Sequence, residues 1–283
     1  MYEPKKMLKK AVEYMVISAI AFTFLNVFVK QNSQFNVYQI VFFRSVGSLF
    51  FTIPFLLKNK ISFIGNKQKF LVFRALAGLT SMIFFFKSMT LLPVGTAVSI
   101  RYVAPIFAAI FALIWLKEKI KPIQWLFLAV AFLGVLILKG FDTQVNSIGL
   151  IFALSSAAFT GVVFILLRKI GDADHPVVVV NYFMIIAAII AGIIMVPYWK
   201  TPVGVEWLLL LSLGVFGYYG QLYMTKAFQK VETNTIAPLK YLEVIFTLLI
   251  GIVWLHENYT IWSLLGITLI IAGLTLNVFA KRR

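Results

Sequence analysis

Cysteine is absent from the chain and histidine occurs twice, at His175 and His256. Disulfides, thiolate metal sites, a cysteine nucleophile and paired haem-type ligands are excluded together. No Walker sequence, glycine-rich dinucleotide turn or HExxH motif occurs either, so ATP-driven pumping and zinc proteolysis lack sequence support. The expectation is a protein that is not an enzyme and has no catalytic residue, metal or cofactor. Charge is also scarce: 13% of the 283 residues are charged against 61% hydrophobic, with a mean hydropathy of +0.94. Such a balance excludes an ordinary water-soluble globule. The chain reads as a polytopic membrane protein with the lipid bilayer as its main partner. The net charge of +16 does not imply a nucleic-acid partner, because a nucleic-acid binder needs an exposed basic face that so apolar a chain hardly has.

What the chain has in abundance is apolar segments long enough to cross a bilayer, whose core of about 30 Å takes roughly 20 residues at about 1.5 Å each. Ten such segments are expected, at 11–29, 37–57, 70–88, 93–116, 122–139, 147–167, 176–197, 205–225, 233–255 and 260–280. Turn residues such as Gly65, Gly140, Gly171, Pro176 and Pro202 punctuate the joints. The basic start (Lys5, Lys6, Lys9, Lys10) resembles a signal sequence, but its apolar stretch is long and no small-x-small cleavage site follows, so it reads as an uncleaved first span.

Sorting Lys and Arg between alternate loops tests this division. One side holds Lys5, Lys6, Lys9, Lys10, Lys58, Lys60, Lys67, Lys69, Lys117, Lys119, Lys121, Arg168, Lys169, Lys226, Lys230, Lys281, Arg282 and Arg283; the other holds Lys30, Lys139 and Lys200. The asymmetry predicts that both termini are cytoplasmic. Five basic residues, Arg44, Arg74, Lys87, Arg101 and Lys240, fall inside apolar segments.

The two halves resemble each other. FFFKSMTLLPVGTAVSIRYVAPIFAAIFALIWLKE (84–118) aligns without a gap on YMTKAFQKVETNTIAPLKYLEVIFTLLIGIVWLHE (223–257), 139 positions later. Arg101 meets Lys240, Tyr102 meets Tyr241, Trp115 meets Trp254 and Glu118 meets Glu257; Gly78 meets Gly217 and Gly134 meets Gly273. SAIAFT (18–23) also faintly matches SAAFT (156–160). An offset of five helices inverts equivalent helices, so the reading is an all-α integral membrane fold of two inverted five-helix repeats, 1–140 and 141–283. Alternating access exploits such symmetry. These residues, with Trp-Leu-x-Glu closing the fourth and ninth helices, resemble the EamA branch of the drug/metabolite transporter superfamily across essentially the whole chain. The resemblance implies a secondary transporter of a small molecule, with a central cavity lined by helices 1, 3, 4, 6, 8 and 9; the uncleaved start and clean charge asymmetry suit a bacterial inner membrane, and a monomer or homodimer is expected.

Arg101 and Lys240 each lie about eight residues into a span, roughly 12 Å deep. An intramembrane charge costs about 2.5–3.5 kcal/mol on insertion scales and normally faces a cavity or a partner. Two readings follow. Arg101 offers a carboxylate or phosphate a bidentate fork and Lys240 a point charge, or else Glu243, three residues after Lys240, neutralises its neighbour. Glu243 is in turn a proton carrier or an ion-pair partner. Tyr102, Tyr241, Tyr218 and Asn26 are candidates for stacking on and hydrogen-bonding a ligand. Ser156 and Thr160 read as cavity lining or interhelical glue, and Arg44 as a lock between helices. Glu118 and Glu257 read as helix caps or paired gates. Pro105 and Pro238 are expected to break their helices near the cations. The alternative cargo is an amino acid or drug, exported past internally neutralised charges.

Overall fold

A computed structural model describes residues 4–115, 121–141, 145–230 and 237–282 of the chain. All regular structure among the described residues is helical: α1 (Pro4–Gln31), α2 (Val37–Lys58), α3 (Gln68–Leu91), α4 (Val94–Arg101), α5 (Ala104–Trp115), α6 (Pro122–Phe141), α7 (Ser147–Ile170), α8 (Pro176–Met195), α9 (Val205–Lys230), α10 (Leu242–Val253) and α11 (Ile261–Arg282), with short 3₁₀ turns between some of them. Among the described residues, six stretches are long and apolar enough to cross a membrane: Met7–Gln31, Val37–Lys58, Gln68–Leu91, Val94–Trp115, Ser147–Leu167 and Pro176–Tyr198.

Helix starts follow local chemistry. The Asn36 side chain accepts from the Tyr38 N–H and Asn146 from those of Ile148 and Gly149, which satisfies first-turn donors that have no intrahelical partner. Pro176 opens α8, where its missing N–H costs nothing. Within the bundle, α1 packs on α9 and α10, α7 on α3, α4 and α5, α2 on α8 and α9, α8 on α3, and α6 on α11. Small residues permit these approaches: a Cβ added at Gly214 would fall 2.3 Å from the Gly47 Cα, and one at Gly266 2.7 Å from the Gly134 carbonyl oxygen. Lipid supplies no hydrophobic drive between helices, so close backbone packing and interhelical hydrogen bonds replace it. Ser18 Oγ donates to the Gly220 carbonyl at 2.7 Å, Ser156 Oγ to the Ser81 carbonyl at 2.8 Å, and Thr52 Oγ1 to Asn181 Oδ1 at 2.9 Å. Outward faces are apolar and open, as at Phe50 and Val253 (72% and 76% exposed), a surface suited to acyl chains.

The fourth apolar segment is not one helix. α4 ends at Arg101, a turn at 102–103 follows, and α5 starts at Ala104. Pro105 explains the break: it has no N–H for the Arg101 carbonyl and its ring clashes with that group. In the described part of the ninth segment, a 3₁₀ turn at Ala237–Tyr241 that contains Pro238 and Lys240 leads into α10 at Leu242. Arg101 thus closes α4, and Lys240 lies in the turn that precedes α10.

Candidate functional site

The turn after α4 and the turn before α10 meet around Glu243, in the first turn of α10 and 5% exposed. Its Oε1 accepts from Asn26 Nδ2 at 2.9 Å and its Oε2 from the Tyr102 hydroxyl at 2.6 Å. One carboxylate therefore ties α1, the 102–103 turn and α10 together. Thr23, one turn before Asn26, donates to the Ala19 carbonyl and lies 3.4 Å from Thr247 Oγ1, one turn beyond Glu243. Spacings of three and four residues keep each pair on one helix face, so two rungs join α1 to α10. Tyr241 meets Tyr102 edge to face, with ring centroids 5.5 Å apart.

The cations take a different kind of partner. The Arg101 guanidinium lies over the Phe85 ring at 4.2 Å from its centroid, and Lys240 Nζ lies 5.7 Å from that of Tyr102. Among the described residues the single ion pair within 4.0 Å joins Lys30 to Glu257; Lys240 forms no such pair with Glu243. Aromatic faces attract a cation through their quadrupole without cancelling its charge. The cluster thus presents two cations and a carboxylate held by neutral donors, an arrangement able to bind and orient a charged organic molecule.

A second junction lies at the end opposite the lysine-rich loops. Pro93 stands at the N-cap of α4 without a side-chain cap. Glu257, from the α10–α11 connection, supplies it instead: both carboxylate oxygens accept from the Val94 N–H at 2.9 Å, where the helix dipole favours negative charge. The Tyr259 hydroxyl donates to Glu257 at 2.5 Å and accepts from the Gly95 N–H at 3.1 Å. Burial and the neighbouring Glu257 charge push the Tyr259 phenol far above its ordinary range, which keeps it a donor. Lys30 Nζ donates to the Met89 and Leu92 carbonyls at 2.7 and 2.8 Å and stands 3.9 Å from Glu257.

Of the residues singled out in the sequence, Arg101, Lys240, Tyr102, Tyr241, Asn26 and Glu243 converge on one cluster, and Glu257 caps a helix across the interface. Glu118 lies outside the described residues. Tyr218 packs elsewhere, its ring stacked on Phe51 at 4.7 Å. Ser156 and Thr160 bond to Ser81 and act as glue between α7 and α3. Sequence reasoning missed Thr23, Thr247, Phe85 and the Lys30 contact with Glu257. The first two repeat, one helical turn away, the faces marked by Asn26 and Glu243, a signal available in the sequence; the others depend on how helices pack.

The profile of the EamA-like transporter family matches residues 9–139 and matches again at 147–279. The chain belongs to that family. It is a multi-pass transporter of the inner membrane, and its relatives are transporters too. The chain is 29% identical over 278 residues to solute carrier family 35 member G1 of Homo sapiens, covering 92% of this chain and 76% of that protein. It is 29% identical over 280 residues to the pseudopaline exporter CntI of Pseudomonas aeruginosa, covering 97% and 95%. The S-adenosylmethionine uptake transporter of Rickettsia felis is 25% identical over 253 residues, covering 89% and 86%. A solved crystal structure superposes on this EamA-like chain with a TM-score of 0.71 at 15% identity, covering 96% and 97%, which is a likeness of fold.

Proposed function

We propose that this transporter moves a small organic metabolite bearing a carboxylate or phosphate, and that Arg101 and Lys240 dock the anionic group. The observation that carries the reading is the pair of half-buried cations, Arg101 at the end of α4 and Lys240 in the turn before α10, each resting on an aromatic ring with no carboxylate within 4.0 Å. An arriving anion offers both a partner that the aromatics do not. Tyr102, Tyr241 and Asn26 line the same cluster and orient the rest of the molecule. The activity is translocation rather than catalysis.

The mechanism we infer is alternating access between inverted repeats, 1–140 and 141–283, in a ten-helix bundle with both termini cytoplasmic. The two separate family matches support the division. So do exchangeable contacts: α1 on α9 corresponds to α7 on α3, and the Ser18 bond to Gly220 corresponds to the Ser156 bond to Ser81. Gly134 against Ile270 likewise corresponds to Gly273 against Ala131. Interfaces that map onto each other on exchange of the halves allow two mirror-related openings around one site.

Glu243 favours a second reading. Its carboxylate is the opposite charge nearest Arg101 and Lys240 and can also accept an ammonium group, so an amino-acid or drug cargo is exported past internally neutralised cations and is selected by the aromatic rings. Saturable flux into proteoliposomes separates the two. Anionic cargo competing with carboxylates and phosphates alike supports the first reading. Flux confined to amino acids or cationic drugs, and indifferent to plain carboxylates and phosphates, replaces it with the second.

A further inference from the structure

One face of α3 carries more than the central cluster uses. Arg74, Gly78, Met82 and Phe85 follow at spacings of four, four and three, which places them on one stripe. Arg74 extends its guanidinium over Phe183 of α8 at 4.6 Å. Gly78 leaves that space open, since a Cβ there would stand 3.2 Å from the Phe183 ring and 3.6 Å from Arg74 Nη1. Met82 receives the Arg44 Nη1 of α2 on its sulfur, and Phe85 carries Arg101 of α4. Three guanidiniums from three helices therefore descend one stripe, beside Gly78, Met82 and Phe85, the first two steps about 6 Å apart along the axis and the next about 4.5 Å, at about 1.5 Å per residue.

Arg44 and Arg74 are 5% and 7% exposed. Arg44 Nε and Arg74 Nε and Nη1 have no hydrogen-bond partner among the described residues. Arg44 is close enough to both Arg101 and Arg74 for their charges to repel. An aromatic ring or a thioether accommodates a guanidinium but does not balance its charge, and an unbalanced buried charge is strongly unfavourable. Arg74 sits six residues into α3 from the lysine-rich end, and Arg44 reaches the stripe next to the central site.

We propose that Arg44 and Arg74 form a second oxyanion-binding site, distinct from the Glu243 cluster, in which a phosphate or carboxylate pauses between the lysine-rich end of the bundle and Arg101. The proposal goes beyond the cargo reading, because it holds whichever molecule the central cluster selects.

The test is the melting temperature of the full chain in detergent, titrated with inorganic phosphate and with succinate. In the Arg101→Gln background, saturating anion raises it by about 5 °C, and adding Arg44→Met with Arg74→Met abolishes that rise without lowering the melting temperature of the anion-free protein. Absence of any rise with either anion in the parent or in the Arg101→Gln protein overturns the proposal. So does a rise that survives both methionine substitutions, or one produced by phosphatidylglycerol but by neither free anion. Should the double methionine variant fail to fold, Arg44→Lys keeps the charge but not the fork. It weakens anion affinity about tenfold if Arg44 is a ligand, and unchanged affinity assigns Arg44 to packing alone. Flux by the Arg101→Gln protein is scored separately and judges only the central reading.

Discussion

Glu243 and Glu257 both reach from the second half of the chain into the first, yet the company they keep differs. Glu257 has everything a carboxylate wants: the amide of a helix start, a phenol donor and a lysine within 3.9 Å. Glu243 has two neutral donors, while the nearby Arg101 and Lys240 rest on aromatic rings. The first carboxylate is satisfied by charge and holds one end of the bundle together. The second is satisfied by hydrogen bonds that a ligand can exchange, and it leaves its cationic neighbours available. Under the proposed reading, what marks a transport site is the replaceability of the partners and not burial or position alone.

This contrast is open to breakage at four places. The largest loss of stability is expected for Glu257→Gln, which removes the charge facing the α4 N-terminus and the counter-charge of Lys30. About 2–3 kcal/mol is lost, as for a charge-assisted hydrogen bond with its helix-dipole contribution, and it is read as a fall in melting temperature in detergent. Tyr102→Phe comes next, at about 1–2 kcal/mol, since it leaves one oxygen of the buried Glu243 without its donor. Glu243→Gln costs less than about 1 kcal/mol, because an amide still accepts from Asn26 or Tyr102, while flux falls at least about tenfold if the charge orients cargo. A Glu243→Gln protein as unstable as Glu257→Gln erases the distinction between the two sites. Thr247→Val is the smallest, about 0.5 kcal/mol for one neutral hydrogen bond in a membrane interior, checked by the same melting curves.

The all-helical fold with long apolar spans was legible because bilayer thickness imposes a length on each span, and that length is written in composition. The break after Arg101 and the turn that holds Lys240 were legible from Pro105 and Pro238, whose backbone chemistry is local. Contacts across the bundle were not. Lys30, sorted as an ordinary loop lysine, folds back on the carbonyls of Met89 and Leu92 beside Glu257, 227 positions further along the chain. Phe85 reads as one more apolar residue until α4 lays Arg101 across it. Tyr218, grouped with the other aromatics by its neighbourhood in sequence, faces Phe51 of α2 instead, because the rotation of α9 is set by packing rather than by composition. Asn26 was found as a hydrogen-bonding side chain within a span, and Thr23 was overlooked because hydroxyls are common there.

The central claim is that Arg101 and Lys240 bind the moving anion, and flux in proteoliposomes by the parent and the Arg101→Gln and Lys240→Met proteins tests it most directly. Removing a bidentate charge-assisted contact of about 1.5–3 kcal/mol predicts a fall of roughly 10- to 150-fold in transport of a carboxylate or phosphate cargo for Arg101→Gln, and a smaller fall for Lys240→Met. Both variants must keep parent-like melting temperatures. Flux at the parent rate in a folded Arg101→Gln protein would contradict the account and make Arg101 a packing element.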